Sequence, residues 1–296
     1  MNEITPPKKK TVSYSQFSNY WSCSYRFFRD YILKEKTFED SLNMSFGTGI
    51  HEAIQLYLKT LYHKTEKQAE SIDLLKYFTW AFKREVTKKK IPHTPEELNE
   101  FIEDGRCILS EFKDSSNRLR YFPRDKWELL GIEDKLNMEL RNNIMIVGYL
   151  DLVLKEKISG NIRIVDFKTS TRGWSYEKED FTKNAQLKLY KALYSKQHNI
   201  PLSKIHVEFV ILKRKIYADY KYEQTRIQIH KPPTFQSDIL EVIKEFNKFI
   251  DVVFTPNGEY NMNAKYHKIP GKGNKNCKYC NYAKNGKCDK KADPIE

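Results

Sequence analysis

Ile144-Met145-Ile146-Val147-Gly148-Tyr149-Leu150-Asp151-Leu152-Val153-Leu154, then Ile162-Arg163-Ile164-Val165-Asp166-Phe167-Lys168-Thr169 beyond a Ser159-Gly160-Asn161 turn, decide the fold. Both runs have strand length and are rich in β-branched residues. The first is apolar on both faces, so it predicts a strand covered on both sides. Asp151 shares a face there with Val147, Tyr149 and Val153, where a bare carboxylate costs several kcal/mol. In the second run the spacing of two puts Ile162, Ile164, Asp166 and Lys168 on one face. A salt bridge of Lys168 with either acid is the structural alternative. Buried ion pairs seldom stabilise better than apolar isosteres, so a cluster of two acids and a lysine on core strands reads as a site.

Outward from these strands, Trp127 to Leu140 and Ile205 to Leu212 read as further strands, and Phe181 to His198 and Phe235 to Val253 as helices. Glu133 lies on the strand before Asp151, as an acid one shell out. Upstream the signal is helical. Ser15 opens an aromatic helix running to Tyr31, Gly47-Thr48-Gly49 reads as a turn with a capping hydroxyl, and a helix follows with Ile50, Ala53, Ile54, Tyr57 and Leu61 as its stripe. Residues 66–120 read as polar helix interrupted by Pro92 and Pro95. Helices, then a sheet crossed by a helix, predict an α/β fold. Residues 1–12 read as a disordered tail. A single domain is expected over 13–296, with a helical subregion at about 60–125, a core at 126–255 and a cysteine- and lysine-rich tail at 256–296.

The chain has 296 residues, 52 of them basic and 39 acidic, for a net charge of +13. Mean hydropathy is −0.71, and no apolar run approaches the roughly 20 residues a membrane helix needs. No secretory signal follows Met1, so an intracellular protein without a membrane partner is expected. Excess positive charge favours a polyanion, because each neutralised phosphate releases a counterion. Nine lysines and one acid lie between Lys265 and Lys291. Lys272, Lys275 and Lys278 are the candidate phosphate contacts, for DNA or RNA.

Gly148-Tyr149-Leu150-Asp151 followed by Asp166-Phe167-Lys168-Thr169 resembles the core of the PD-(D/E)XK nuclease superfamily. Its RecB-like branch, with the CRISPR-associated and helicase-associated iron–sulfur exonucleases, is the most similar. Further motifs agree in order. Gly47 to Glu52 resembles the branch's helical histidine motif, Gln186 to Tyr190 its glutamine–tyrosine motif, and Ser13 to Cys23 its opening helix. The resemblance implies a central mixed sheet flanked by helices, with a helical insertion. It also implies a metal-dependent deoxyribonuclease, an exonuclease of recombination, repair or phage-type genome processing, with a helicase or recombination protein as possible partner. Asp151 and Asp166 would offer oxygens to Mg2+ or Mn2+, joined by His51 and the Phe167 carbonyl, with Glu52 as the alternative to His51. Lys168 would orient water or stabilise an oxyanion, and Gln186 and Tyr190 would hold the lysine or the scissile strand. The competing class is a nucleic-acid-binding subunit that keeps the fold without the chemistry.

Cysteines form a second constellation. Cys277, Cys280 and Cys288 are one ligand short of a tetrahedral thiolate site, and Cys23 supplies the fourth. Cys107, among Phe101, Ile108 and Phe112, reads as a small core residue. Four thiolates suit structural zinc or an iron–sulfur cluster, and the resemblance favours [4Fe–4S].

Overall fold

A computed structural model of the chain describes residues 10–35, 39–141, 143–174, 181–217 and 224–293. In chain order the elements are β1 (Lys10–Val12), α1 (Tyr14–Ser22), α2 (Ser24–Phe27), α3 (Leu42–His63), α4 (Glu66–Glu70), α5 (Leu74–Lys88), α6 (Pro95–Lys113) and α7 (Ser115–Tyr121). There follow β2 (Trp127–Arg141), β3 (Ile144–Glu156), β4 (Ile162–Ser170), α8 (Phe181–His198), β5 (Ile205–Lys213), β6 (Ile227–His230), α9 (Gln236–Val253) and α10 (Asn281–Lys284). Six strands make one mixed sheet in the order β1-β3-β4-β5-β6, with β2 also on β3. This is the α/β architecture the sequence predicts. Among the described residues no helix is long and apolar enough to cross a membrane.

β3 organises the sheet. β2 pairs with it antiparallel along almost its whole length, which uses up one edge. The other edge is therefore shared, by β1 parallel to Ile144–Ile146 and by β4 antiparallel to Leu152–Lys155. Between these contacts, from Val147 to Asp151, no strand among the described residues pairs with that edge.

Apolar layers cover both faces. On one, Ile164 and Phe209 pack with Phe17, Leu187, Phe246 and Phe249 of α1, α8 and α9. On the other, Phe167 and Leu212 pack with Ile54, Phe78, Phe82 and Phe101 of α3, α5 and α6. The region around 66–120 is therefore not a polar appendage. Its exposed charges mask an aromatic stripe that builds the second core. Thr94 and Glu97 form a capping box, and Pro95 occupies the first turn of α6 where no backbone donor is needed.

Several expectations change. Lys10–Val12 is an edge strand, not tail, because parallel pairing on β3 satisfies its backbone and buries Val12; residues 1–9 lie outside the described residues. The first helix starts at Tyr14, capped by Ser13 with Gln16 reciprocating, and it breaks at Cys23, whose backbone is extended. Gly47-Thr48-Gly49 is not a turn but lies within α3. A Cβ on Gly49 would stand 3.2 Å from Phe78 and Phe82, so glycine serves close packing of α3 on α5. Cys107 is not in the core; it sits one turn after Glu103, half-buried, with Sγ 3.6 Å from that carboxylate.

Candidate active site

β3 and β4 part at the acids. Their last pair is Leu152 with Val165, so the next level sets Asp151 opposite Asp166, where pairing stops. Asp151 then turns to backbone, accepting a 2.7 Å hydrogen bond from the Phe167 N–H at Oδ2. The alternation of β3 breaks here too. Ile146 and Leu150 face the α8 layer, whereas Leu152 and Leu154 face the α3 layer and Val153 takes the α8 side. The simple period of two therefore fails at Asp151, where β3 loses β4 as a partner. On β4 it holds. Asp166 and Lys168 share a face, with Lys168 Nζ 2.6 Å from Asp166 Oδ2. That contact compensates the buried Oδ2.

α8 closes the site. Gln186 donates from Nε2 to Asp166 Oδ1 at 3.0 Å and lies 3.4 Å from the Tyr190 hydroxyl. One turn separates the two, so one helix face carries both. Lys188 points elsewhere, to Asp238 of α9. Tyr190 can reach because β3 has glycine beneath it: a Cβ on Gly148 would stand 3.1 Å from the ring. Gly148→Ala is expected to destabilise by about 1–3 kcal/mol through overpacking. Urea denaturation of a double-mutant cycle with Tyr190→Ala checks this. Additive losses would mean the ring does not press on this position.

From the opposite layer, α3 brings His51 to the gap, with Nδ1 3.6 Å from Asp151 Oδ2 and its ring edge-on to Phe167. Glu52 turns instead to Arg84 of α5 at 2.6 Å. Glu133 falls level with Asp151, between the pairs Ile132–Leu152 and Asp134–Leu150, so three acids line up across β2, β3 and β4. It is held by Gln55.

Burial dominates the electrostatics. It pushes both Asp151 and Asp166 up to about 6, against the opposing pull of Lys168. It also lowers the His51 imidazole, keeping it neutral and able to ligate. Two costly carboxylates and a neutral imidazole suit a divalent cation in chemistry. Among the described residues, however, no three His, Cys, Asp or Glu side chains are already closed into an ion-binding cluster.

Grooves flank the acids. One of about 500 Å3 passes His51, Lys168, Thr48, Thr169 and the buried Arg214; another of about 440 Å3 passes Tyr190, Tyr149 and the N-terminal segment. Lys272, Lys275 and Lys278 line neither, lying exposed on the cysteine-bearing tail. Cys23, Cys277, Cys280 and Cys288 line one small cavity as free thiols, likewise not closed into an ion-binding cluster.

The superfamily profile described as PD-(D/E)XK nuclease matches residues 11–284. The chain belongs to the PD-(D/E)XK nuclease superfamily, whose members are usually metal-dependent nucleases. A solved structure described as "Crystal structure of SSO0001" is similar at 13% identity and a TM-score of 0.39, covering 95% of this chain and 86% of that one. No curated protein matches the chain.

Proposed function

We propose that the chain is a divalent-metal-dependent deoxyribonuclease of the RecB-like branch, working as an exonuclease in recombination, repair or phage-type genome processing. One observation carries the reading: two desolvated acids, each raised to about 6, meet where β3 and β4 part, with Lys168 2.6 Å from one of them. A structural salt bridge between Lys168 and Asp166 does not need the second acid.

Asp151, Asp166, His51 and the Phe167 carbonyl would hold Mg2+ or Mn2+, which when bound acidifies water and neutralises phosphoryl oxygens. Gln186 fixes the Asp166 carboxylate at Oδ1, while Oδ2 is held by Lys168. Lys168, tied at one end to that oxygen yet 34% exposed, can orient water or meet charge developing on the phosphate. Tyr190, buried against Gly148, limits how Gln186 can turn. The nuclease is read as one domain, with Lys10–Val12 included in its sheet and 256–296 as a tail. A [4Fe–4S] cluster on Cys23, Cys277, Cys280 and Cys288 completes the proposal, with zinc as the alternative. Its support is the convergence of all four thiols and the Ile269 N–H aimed at Cys23 Sγ from 3.4 Å. A helicase or recombination protein is the partner class this activity calls for.

End-labelled single- and double-stranded DNA incubated with Mn2+, Mg2+ or EDTA tests the reading. Loss of mononucleotides or short products from an end, abolished by EDTA, is expected. Internal cuts would make it an endonuclease. Tight binding with no metal-dependent product would leave only a binding subunit.

A further inference from the structure

Beyond the acids, α7, the end of β4, the end of β5 and β6 enclose a groove of about 620 Å3. Three cations line it (Arg120, Arg172 and Lys213), together with Trp174, Tyr217 and Gln228, and among the described residues no carboxylate does. We propose that this groove binds single-stranded nucleic acid, its bases stacking on Trp174 and Tyr217, and leads the strand to the acids. The proposal rests on the nuclease reading for its direction, but not for its chemistry.

The aromatic platform is built rather than incidental. Gln228 grips Trp174 twice, accepting from its N–H at 2.9 Å and donating to its carbonyl at 2.8 Å. This grip needs Gly173, which has φ +87° and where a Cβ would lie 2.5 Å from the Gln228 oxygen. The Trp174 ring leans on Phe209 at 4.9 Å and meets His230 edge-on. Tyr217 is 49% exposed, with the Arg172 guanidinium 5.0 Å from its ring, and Lys183 stands 4.9 Å from Trp174.

Aromatic faces interleaved with cations are the chemistry of sequence-tolerant strand binding. Every base offers a π-face to the rings while the cations meet the phosphates. A duplex hides those faces in its own stack, so the groove discriminates for unpaired bases. Its link to the acids is short. Phe209, against which Trp174 leans, lies with its ring centroid 5.8 Å from Lys168 Nζ. Trp174 and Lys168 thus border the same fully buried ring, which places the platform beside the reacting end of β4.

Binding of a short fluorescein-labelled oligo-dT strand, and of a duplex of equal length, would be followed by anisotropy in EDTA. Trp174→Ala is expected to weaken strand binding about ten- to hundredfold, and Tyr217→Ala about tenfold, with about twofold or less on duplex. Removing Arg120, Arg172 and Lys213 together should flatten the log–log salt slope by about two, at roughly 0.7 per phosphate. Because Trp174 packs on Phe209, the exposed changes Tyr217→Ala and Arg172→Ala provide the deciding measurement should Trp174→Ala unfold. Wild-type strand affinity in both, or equal losses on strand and duplex, overturns the proposal. If these variants lose the strand as expected while the wild type never cuts DNA, the groove stands and the nuclease reading falls.

Discussion

Asp166→Ala is expected to lower metal-dependent cleavage by at least about a thousandfold, which is about 4 kcal/mol of transition-state stabilisation. Lys168→Ala should fall into the same range, and both variants should keep DNA affinity measured in EDTA. The folding effect runs the other way. Burial raises Asp151 and Asp166 to about 6, above an unfolded value near 4. Folding therefore favours the neutral acids, a contribution complete below about pH 4 and lost as pH climbs through 6. For the pair this amounts to a few kcal/mol at pH 7.5, on the order of 1.4 kcal/mol per unit per group before coupling. In EDTA, Asp166→Ala should hence match or exceed the wild type in Tm at pH 7.5, despite losing a hydrogen bond from Gln186. Mn2+ should raise the wild-type Tm at pH 7.5 and hardly at pH 5, and should do little for the variant. A variant less stable than wild type at pH 7.5 would mean the carboxylate is a structural ion-pair partner of Lys168. Cleavage retained by Lys168→Ala would move the chemistry elsewhere.

That site was legible where the chain is regular. On β4 the period of two is enforced by β5 along its whole length, so Asp166 and Lys168 land together as their spacing predicts. Gln186 and Tyr190 follow from one helical turn. Asp151 was legible by residue type but not by orientation, because β3 turns where β4 leaves it. The glycines of α3 mislead for a related reason. Glycine marks a turn or a close approach, and only the neighbours Phe78 and Phe82 decide which. β1 and β6 are three and four residues long, too short to show alternation. The Trp174 groove has no sequence signature at all, being assembled from four elements spread over more than a hundred residues.

Cys23→Ser is expected to make the tail beyond Pro270 sensitive to protease, although it lies over two hundred residues away in sequence. The tail has little core of its own: among its described residues only Cys280, Tyr282 and Ala283 are buried together, with Cys277 and Cys288 against them. So few apolar side chains cannot hold a segment this long, and a metal or other cross-link is the usual substitute. What docks it on the N-terminal helices is polar. Asn276 donates to the Ser22 carbonyl at 2.8 Å, Tyr282 to Asp30 at 2.8 Å, and Arg29 to the Lys287 carbonyl at 2.9 Å. Ser24 joins them, its hydroxyl accepting from the His267 N–H at 2.8 Å. Each such bond contributes about 1 kcal/mol, against about 10–16 kcal/mol for a structural zinc in zinc-finger peptides. Four thiolates on one cluster would therefore dominate, and removing any one should release both chain ends together. Anaerobically purified protein should be brown, with about four irons per chain, and Cys23→Ser should lose both the colour and the protease resistance. Cys107→Ser, on α6 beside Glu103 and outside the cysteine-lined cavity, should change neither. One zinc per chain and no iron would keep the staple and discard the cluster. A tail equally resistant in Cys23→Ser would mean that the hydrogen bonds alone hold it, and that the four thiols converge without binding anything.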